Sequence, residues 1–138
     1  MDELLKKMNY KGGTIHVAGA PKEFSSIQGS WKSEAEVREI LAGTIGIHVS
    51  GANAGGPLPF LLVFAASEAE VKERIPSIAS RVGPGTVFWV AFPKKTSPNY
   101  NSDINRDILW KLMEPLGFRP NRNVAIDEDW SALRFAPL

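Results

Sequence analysis

The chain has 138 residues, the size of one domain, and its 43% hydrophobic and 22% charged residues are typical of a globular protein. Its 16 basic and 15 acidic residues leave a net charge of +1, so no overall positive field favours nucleic acid or a membrane surface. Cysteine is absent, which excludes disulfides, a thiolate nucleophile and a cysteine-bound zinc site.

The amino-terminal segment does not have the pattern of a targeting signal. Residues 1–10 include two acidic residues and no apolar core, unlike a signal peptide. No apolar run elsewhere approaches the ~20 residues that span a bilayer. We therefore expect one cytoplasmic domain over residues 1–138, with no membrane partner.

The first elements are a short helix and a strand. Leu4, Leu5 and Met8 recur at helical spacing, which predicts a helix over residues 2–8. Residues 14–18 (TIHVA) predict the first strand, and Gly19-Ala20-Pro21 ends it.

The next segment combines a helix signal with a weak strand. Ser33 and Glu36 form the pattern of a capping box, which predicts a helix over residues 34–42. Residues 44–49 predict a second strand. The stretch 51–59 is rich in glycine and proline and favours a loop.

Two continuous apolar runs give the strongest strand signals in the chain. Residues 60–66 (FLLVFAA) and 86–92 (TVFWVAF) contain no polar alternation, which is typical of strands covered on both faces of a parallel sheet. Between them a second capping box at Ser67 and Glu70 predicts a helix to about residue 82. Pro76 lies inside that helix and is expected to kink it or start a new turn.

The last third predicts a helix and a hairpin. Apolar residues repeat at four-residue spacing over 103–114, so this segment is the clearest amphipathic helix, with Ser102 as its N-cap. Trp110 flanks the apolar face and is expected to be packed. Residues 123–126 and 132–136 predict two short strands joined by an acidic loop.

Strands that alternate with helices indicate βαβ units and therefore a parallel sheet. We expect a three-layer, Rossmann-like α/β fold with a mostly parallel sheet and a C-terminal antiparallel hairpin. This arrangement resembles a reduced class I methyltransferase fold, which is an analogy of fold and not of function.

Three segments resemble a bacterial family called domain of unknown function 3052. They are residues 88–95 (FWVAFPKK), 102–104 (SDI) and 127–134 (DEDWSALR), and the turn at residues 19–21 is also similar. The resemblance covers the chain from residue 60 onward, whereas residues 30–56 are longer than the family's compact form. It implies a small Rossmann-like fold and no established activity.

A cofactor site would lie after the first strand, where Gly19 and Ala20 are the weak candidates. Dinucleotide and S-adenosylmethionine sites need several glycines and unblocked amides there, but this turn has one glycine, and Pro21 lacks an amide hydrogen. The segment after the predicted second strand also lacks the acidic residue that binds ribose hydroxyls. We therefore expect a tight turn and no bound cofactor.

A second candidate site lies at the carboxyl edge of the sheet, where ligands of open α/β folds bind. If the penultimate strand runs parallel to the others, polar groups from three loops converge there. Lysines would bind an anion and the indole would stack on a ring; alternatively, the lysines pair with Asp127 or Asp129 and the indole packs in the hairpin. The candidate residues are Lys94, Lys95, Ser102, Asp103, Asp127, Asp129, Trp130 and Ser131.

Catalytic and metal signatures are weak. His16 and His48 each stand alone in a predicted strand, and no Gly-x-Ser-x-Gly elbow is present. Two hypotheses follow. The first is a non-catalytic module, monomeric or dimeric, that binds a partner protein or small ligand but no metal. The second is an S-adenosylmethionine-dependent methyltransferase with an atypical cofactor loop.

Overall fold

A mixed six-stranded sheet forms the centre of the computed structural model, which describes residues 2–40 and 57–137. In chain order the strands are β1 (Ile15–Ala18), β2 (Val37–Ile40), β3 (Phe60–Phe64), β4 (Val87–Pro93), β5 (Phe118–Ala125) and β6 (Trp130–Pro137). Their order across the sheet is β2-β1-β3-β4-β6-β5.

The strand directions confirm the predicted architecture. β1 pairs in parallel with β2 and β3, and β3 pairs in parallel with β4. β6 is antiparallel to both β4 and β5, so β5 runs in the same direction as the parallel strands. All residues of β3 and β4 are buried, as expected for strands covered on both faces.

Helices cover the two faces and complete three layers. They are α1 (Glu3–Lys7), α2 (Ser25–Lys32), α3 (Glu68–Ile78) and α4 (Arg106–Met113). Leu5 of α1 and Trp31 of α2 pack with one face of β3, whereas Ile75 of α3 and Leu109 of α4 pack with the other. No helix among the described residues is long and apolar enough to cross a bilayer.

The helix expected over residues 34–42 is wrong. Residues 37–40 form the edge strand β2, and the helix lies earlier, at α2. Ser33 Oγ donates to the carbonyl of Ser30 at 2.7 Å, so this residue closes α2 and does not start a new helix. Phe24, Gln28 and Trp31 are buried at helical spacing, a stripe that the polar residues between them mask in the sequence. The strand expected over 44–49 lies outside the described residues.

The elements of the last third differ from prediction at their ends. α4 begins at Arg106, because Asn105 Oδ1 accepts the amide of Ile108 at 2.9 Å, so Asn105 and not Ser102 is the N-cap. Trp110 is 47% exposed, which contradicts its expected packing. β5 and β6 are each eight residues long and extend well beyond the predicted hairpin strands.

Candidate functional site

The carboxyl ends of β1, β3, β4 and β5 meet at one edge of the sheet, and the polar loops that follow them lie there. Since the chain proceeds from β1 outward to β2 and then returns to β3 on the other side of β1, the strand order reverses between β1 and β3. In open α/β sheets such a switch point forms a crevice for ligands.

Gly19 lies at this switch point with a φ of +70°, in the left-handed region that favours glycine. A Cβ atom there would lie 2.5 Å from Nη1 of Arg74. That nitrogen donates to the carbonyl of Phe64 at 2.5 Å and lies 3.1 Å from Glu70 Oε1. The glycine therefore admits a guanidinium group between the ends of β1 and β3, and Ala20 beyond it packs partly against the core.

Arg74 is a site residue that sequence reasoning missed. Glu70 and Arg74 are four residues apart on α3, a spacing that usually indicates a solvated ion pair on a helix surface. In the structure Glu70 also accepts the amide of Ala66 at 2.8 Å, so the pair is tied to the loop after β3. No local sequence signal reveals this placement, because it depends on how α3 crosses the sheet.

An acidic residue lies on β2, beside the end of β1. Glu39 of β2 pairs with Val17, one residue before the last residue of β1. Glu39 Oε1 accepts a hydrogen bond from Nε2 of Gln28 at 3.4 Å and its side chain is exposed. A carboxylate is thus present near the carboxyl end of β1, although residues 50–53, from which no acid was expected, lie outside the described residues.

The lysines after β4 line two adjacent clefts. Both Lys94 and Lys95 border a cleft of about 430 Å³ and a second of about 230 Å³. The larger one also contains Arg106 and Ser131, and the smaller one contains the loop with Ser102 and Asp103. Lys94 is held in place by its amide, which donates to the carbonyl of Asp129 at 2.7 Å.

The acidic candidates are engaged by groups other than the lysines. Asp127 Oδ1 accepts the amides of Asp129 and Trp130, each at 2.8 Å. Asp103 Oδ1 accepts the amide of Glu68 at 2.9 Å. Within residues 2–40 and 57–137, neither lysine forms an ion pair, so the expected pairing with Asp127 or Asp129 is not formed.

The carboxylate of Asp129 is bound by the loop after β4. Ser97 Oγ donates to it at 2.6 Å, and Asn99 Nδ2 lies 3.1 Å from Oδ2. The hydrogen bond from Ser97 is the main cause that lowers the pKa of Asp129, and the nearby charge of Lys94 adds a smaller effect in the same direction. This network holds the loop that carries both lysines.

Ser102 and Ser131 also have hydrogen-bond partners within the protein. Ser102 Oγ donates to the carbonyl of Ala66 at 2.6 Å and joins the loops after β3 and β4. Ser131 Oγ lies 3.3 Å from Asn123 Oδ1, across the β5–β6 pair. Both serines therefore support the edge, and Ser131 also faces the larger cleft.

Trp130 belongs to the core. It is 3% exposed, and its ring centroid lies 5.0 Å from that of Phe64 and 4.9 Å from that of Tyr100. Its Nε1 lies 3.5 Å from Glu23 Oε2. Of the two interpretations, stacking on a ligand or packing in the hairpin, the geometry favours packing, since the ring has little exposed surface.

Tyr100 donates a hydrogen bond to Glu23 and ties the loop after β4 to the turn after β1. Burial of the phenol, followed by that hydrogen bond, raises the pKa of Tyr100 to about 12. A raised tyrosine pKa contributes stability that is complete below its ordinary value of 10.0 and is lost as pH rises towards 12.

We therefore expect one of the two tyrosines to ionise near pH 12 in the folded protein, as measured by absorbance at 295 nm. The Tyr100→Phe variant should lose that step, which assigns it, and Glu23→Gln should move it to lower pH. An unchanged step in Glu23→Gln would show that the Glu23 contact does not control the phenol.

His16 is half-buried in β1, and burial is the main cause that lowers its pKa. Its Nδ1 is buried and has no hydrogen-bond partner within the part of the chain that the structure describes. Among the described residues no group of three potential ligands could hold a metal ion. His48 lies outside them.

Several solved structures with a similar fold are methyltransferases. The chain aligns with a SAM-dependent methyltransferase from Aquifex aeolicus at a TM-score of 0.64 and 11% identity, covering 99% of this chain and 88% of the other. The PH0226 protein from Pyrococcus horikoshii OT3 gives 0.57 and 10%, covering 98% and 86%. The mitomycin 7-O-methyltransferase MmcR gives 0.54 and 13%, covering 91% of this chain and 42% of the other.

Sequence comparison adds no relative. No protein-family model matches the chain, so the resemblance to domain of unknown function 3052 stays a prediction. No curated protein matches significantly. At such low identity the structural likeness establishes the fold alone. The chain has a class I methyltransferase-like Rossmann fold with a C-terminal antiparallel hairpin.

Proposed function

We propose that the chain is a methyltransferase-like protein that binds S-adenosylmethionine across the carboxyl ends of β1 and β3. The observation that carries this proposal is the pair formed by Gly19 and Arg74 at the switch point of the sheet. Likeness to SAM-dependent methyltransferases over nearly the whole chain supports the same position for the ligand.

The residues at this position fit the methionine end of the cofactor, which carries a carboxylate. The turn after β1 has one glycine and Pro21, so it offers few amides to an anion. Arg74 compensates for the missing amides, because a guanidinium has five N–H donors and binds carboxylates in a bidentate manner. Its side chain is 23% exposed, and its described contacts use Nη1.

At the other end of the crevice Glu39 presents a carboxylate from β2, level with Val17 near the end of β1. Carboxylates at this position of Rossmann-like sheets accept hydrogen bonds from ribose hydroxyls. When bound, S-adenosylmethionine supplies an activated methyl group. The role of this chain is then to hold the two ends of the cofactor with Arg74 and Glu39.

The test is isothermal titration calorimetry with S-adenosylmethionine, its demethylated product S-adenosylhomocysteine, NAD and ATP. We expect low-micromolar binding of the first two and no heat from NAD or ATP. Arg74→Ala and the bulky change Ala20→Leu should each weaken binding at least about tenfold, as loss of a charge-assisted contact or of space would. Lys72→Ala, an exposed change on the same helix, is the matched control. The absence of a binding signal with both S-adenosylmethionine and S-adenosylhomocysteine would overturn the proposal.

The second candidate function is a non-catalytic module that binds its ligand elsewhere on the carboxyl edge. It is favoured by the guanidinium of Arg74, which lies where a ligand would approach Gly19 and is held by Glu70 and Phe64. If Arg74 stays in place, its guanidinium occupies the crevice at Gly19, whereas the clefts beside Lys94 remain open. This candidate would be supported if calorimetry shows no binding of the adenosyl ligands while another ligand binds beside Lys94.

A further inference from the structure

We infer that the larger cleft beside β4 is a binding site for a phosphate group on a small molecule. We call it the cationic cleft and define it by Lys94, Lys95 and Arg106, which line it together. It lies between the end of β4, the start of α4 and the β5–β6 pair. The cationic cleft is separate from the crevice at Gly19, between the ends of β1 and β3. The inference therefore does not depend on the proposed binding of S-adenosylmethionine.

The cationic cleft has more positive than negative charge. In the described segments none of its three cations forms an ion pair with a carboxylate. The acids of the neighbouring loops are bound by other groups: Asp103 by the amide of Glu68, and Asp129 by Ser97 and Asn99. Asp107 also lines the cleft, so its three cations and one carboxylate leave a net charge of +2. Three like charges around one concavity repel each other, and an anion between them relieves that repulsion.

The neutral residues of the cationic cleft supply further donors. Thr96, Asn105, Asn123 and Ser131 line it. Asn105 uses its Oδ1 to cap α4, which leaves its amide nitrogen as the donor on that side chain. Cations and neutral donors from three elements surround the space, a set that suits the several oxygens of a phosphate.

The size of the cleft indicates that the phosphate is part of a larger molecule. About 430 Å³ lies in the range of small-molecule sites, well above the volume of a lone oxyanion. Asp107 also lines the cleft, in the first turn of α4. A carboxylate there accepts hydrogen bonds from hydroxyls, so a sugar phosphate matches both the cations and the acid.

The test is titration of the ¹⁵N-labelled full chain with ribose 5-phosphate, inorganic phosphate and a phosphoserine peptide, at constant ionic strength and without adenosyl ligands. We expect saturable shifts of amides around the cationic cleft, with ribose 5-phosphate binding most tightly. Lys94→Ala and Arg106→Ala should each weaken its binding at least about tenfold, the effect of losing one charge-assisted contact. Lys111→Ala, an exposed change on the same helix, should leave it unchanged.

The inference of a binding site would be overturned by amide shifts that do not saturate. It would also be overturned if Lys111→Ala weakened ribose 5-phosphate binding as much as Lys94→Ala does. Tighter binding of the peptide would overturn the assignment to a small molecule. The thermal midpoints of the variants should move by less than about 4 °C, because surface charges contribute little to stability. If the midpoint shifts by more, the titration is repeated with Lys94→Gln, which removes the charge but keeps a polar, somewhat shorter side chain.

Discussion

Replacing Trp130 by alanine should lower the free energy of unfolding by about 3–5 kcal/mol, the range for truncation of a large buried aromatic side chain. The indole is 3% exposed and packs edge-on against Phe64 and Tyr100. Its removal also takes away the contact with Glu23. The measurement is urea denaturation followed by circular dichroism, with the midpoint and slope analysed together.

Trp110→Ala is the matched control, because this tryptophan is 47% exposed on α4. We expect it to cost less than Trp130→Ala, about 1–2 kcal/mol, since about half of this residue is exposed and alanine favours the helix. A loss below about 1 kcal/mol for Trp130→Ala would show that the ring is not packed as described. It would then be available for stacking on a ligand.

The central part of the fold was readable from sequence because its signals are local. The runs over 60–66 and 86–92 predicted β3 and β4, since continuous apolar residues of this length have few alternatives. The prediction was wrong at the side of the sheet formed by β2. β2 has only four described residues, none of them fully buried, and a capping-box pattern beside it resembled a helix start.

The location of the site could be predicted from the sequence, but the contacts between its residues could not. The parallel direction of β5, a matter of topology, brought residues 94–95 and 127–131 to one edge, as expected. The partners of the acids could not be inferred, because Ser97 and Asn99 reach Asp129 across 30 or more residues of sequence. Arg74 was missed for the same reason, since its contact with Gly19 joins two elements that are distant along the chain.

Replacing Gly19 by alanine should lower the free energy of unfolding by about 2–4 kcal/mol. A φ of +70° costs a non-glycine residue about 1 kcal/mol or more, and the new Cβ would lie 2.5 Å from Arg74 Nη1. The guanidinium must then move away and weaken its bond to the carbonyl of Phe64. The same denaturation experiment measures the loss. Gly29→Ala is the control. Gly29 lies inside α2, and apart from its neighbours and the helix backbone no described atom lies within 4 Å of the new Cβ, so the variant should gain about 0.5–1 kcal/mol.

The double variant Gly19→Ala with Arg74→Ala separates the two reasons for the glycine. Shortening Arg74 removes the collision but not the unfavourable φ, so the double variant should be more stable than the sum of the single losses predicts, by about 1–2 kcal/mol. Additive losses would mean that the guanidinium does not touch Gly19. If the double variant recovers stability but binds no adenosyl ligand, Arg74 serves the ligand as well as the fold. If the intact chain binds none either, the glycine is there to accommodate Arg74 alone.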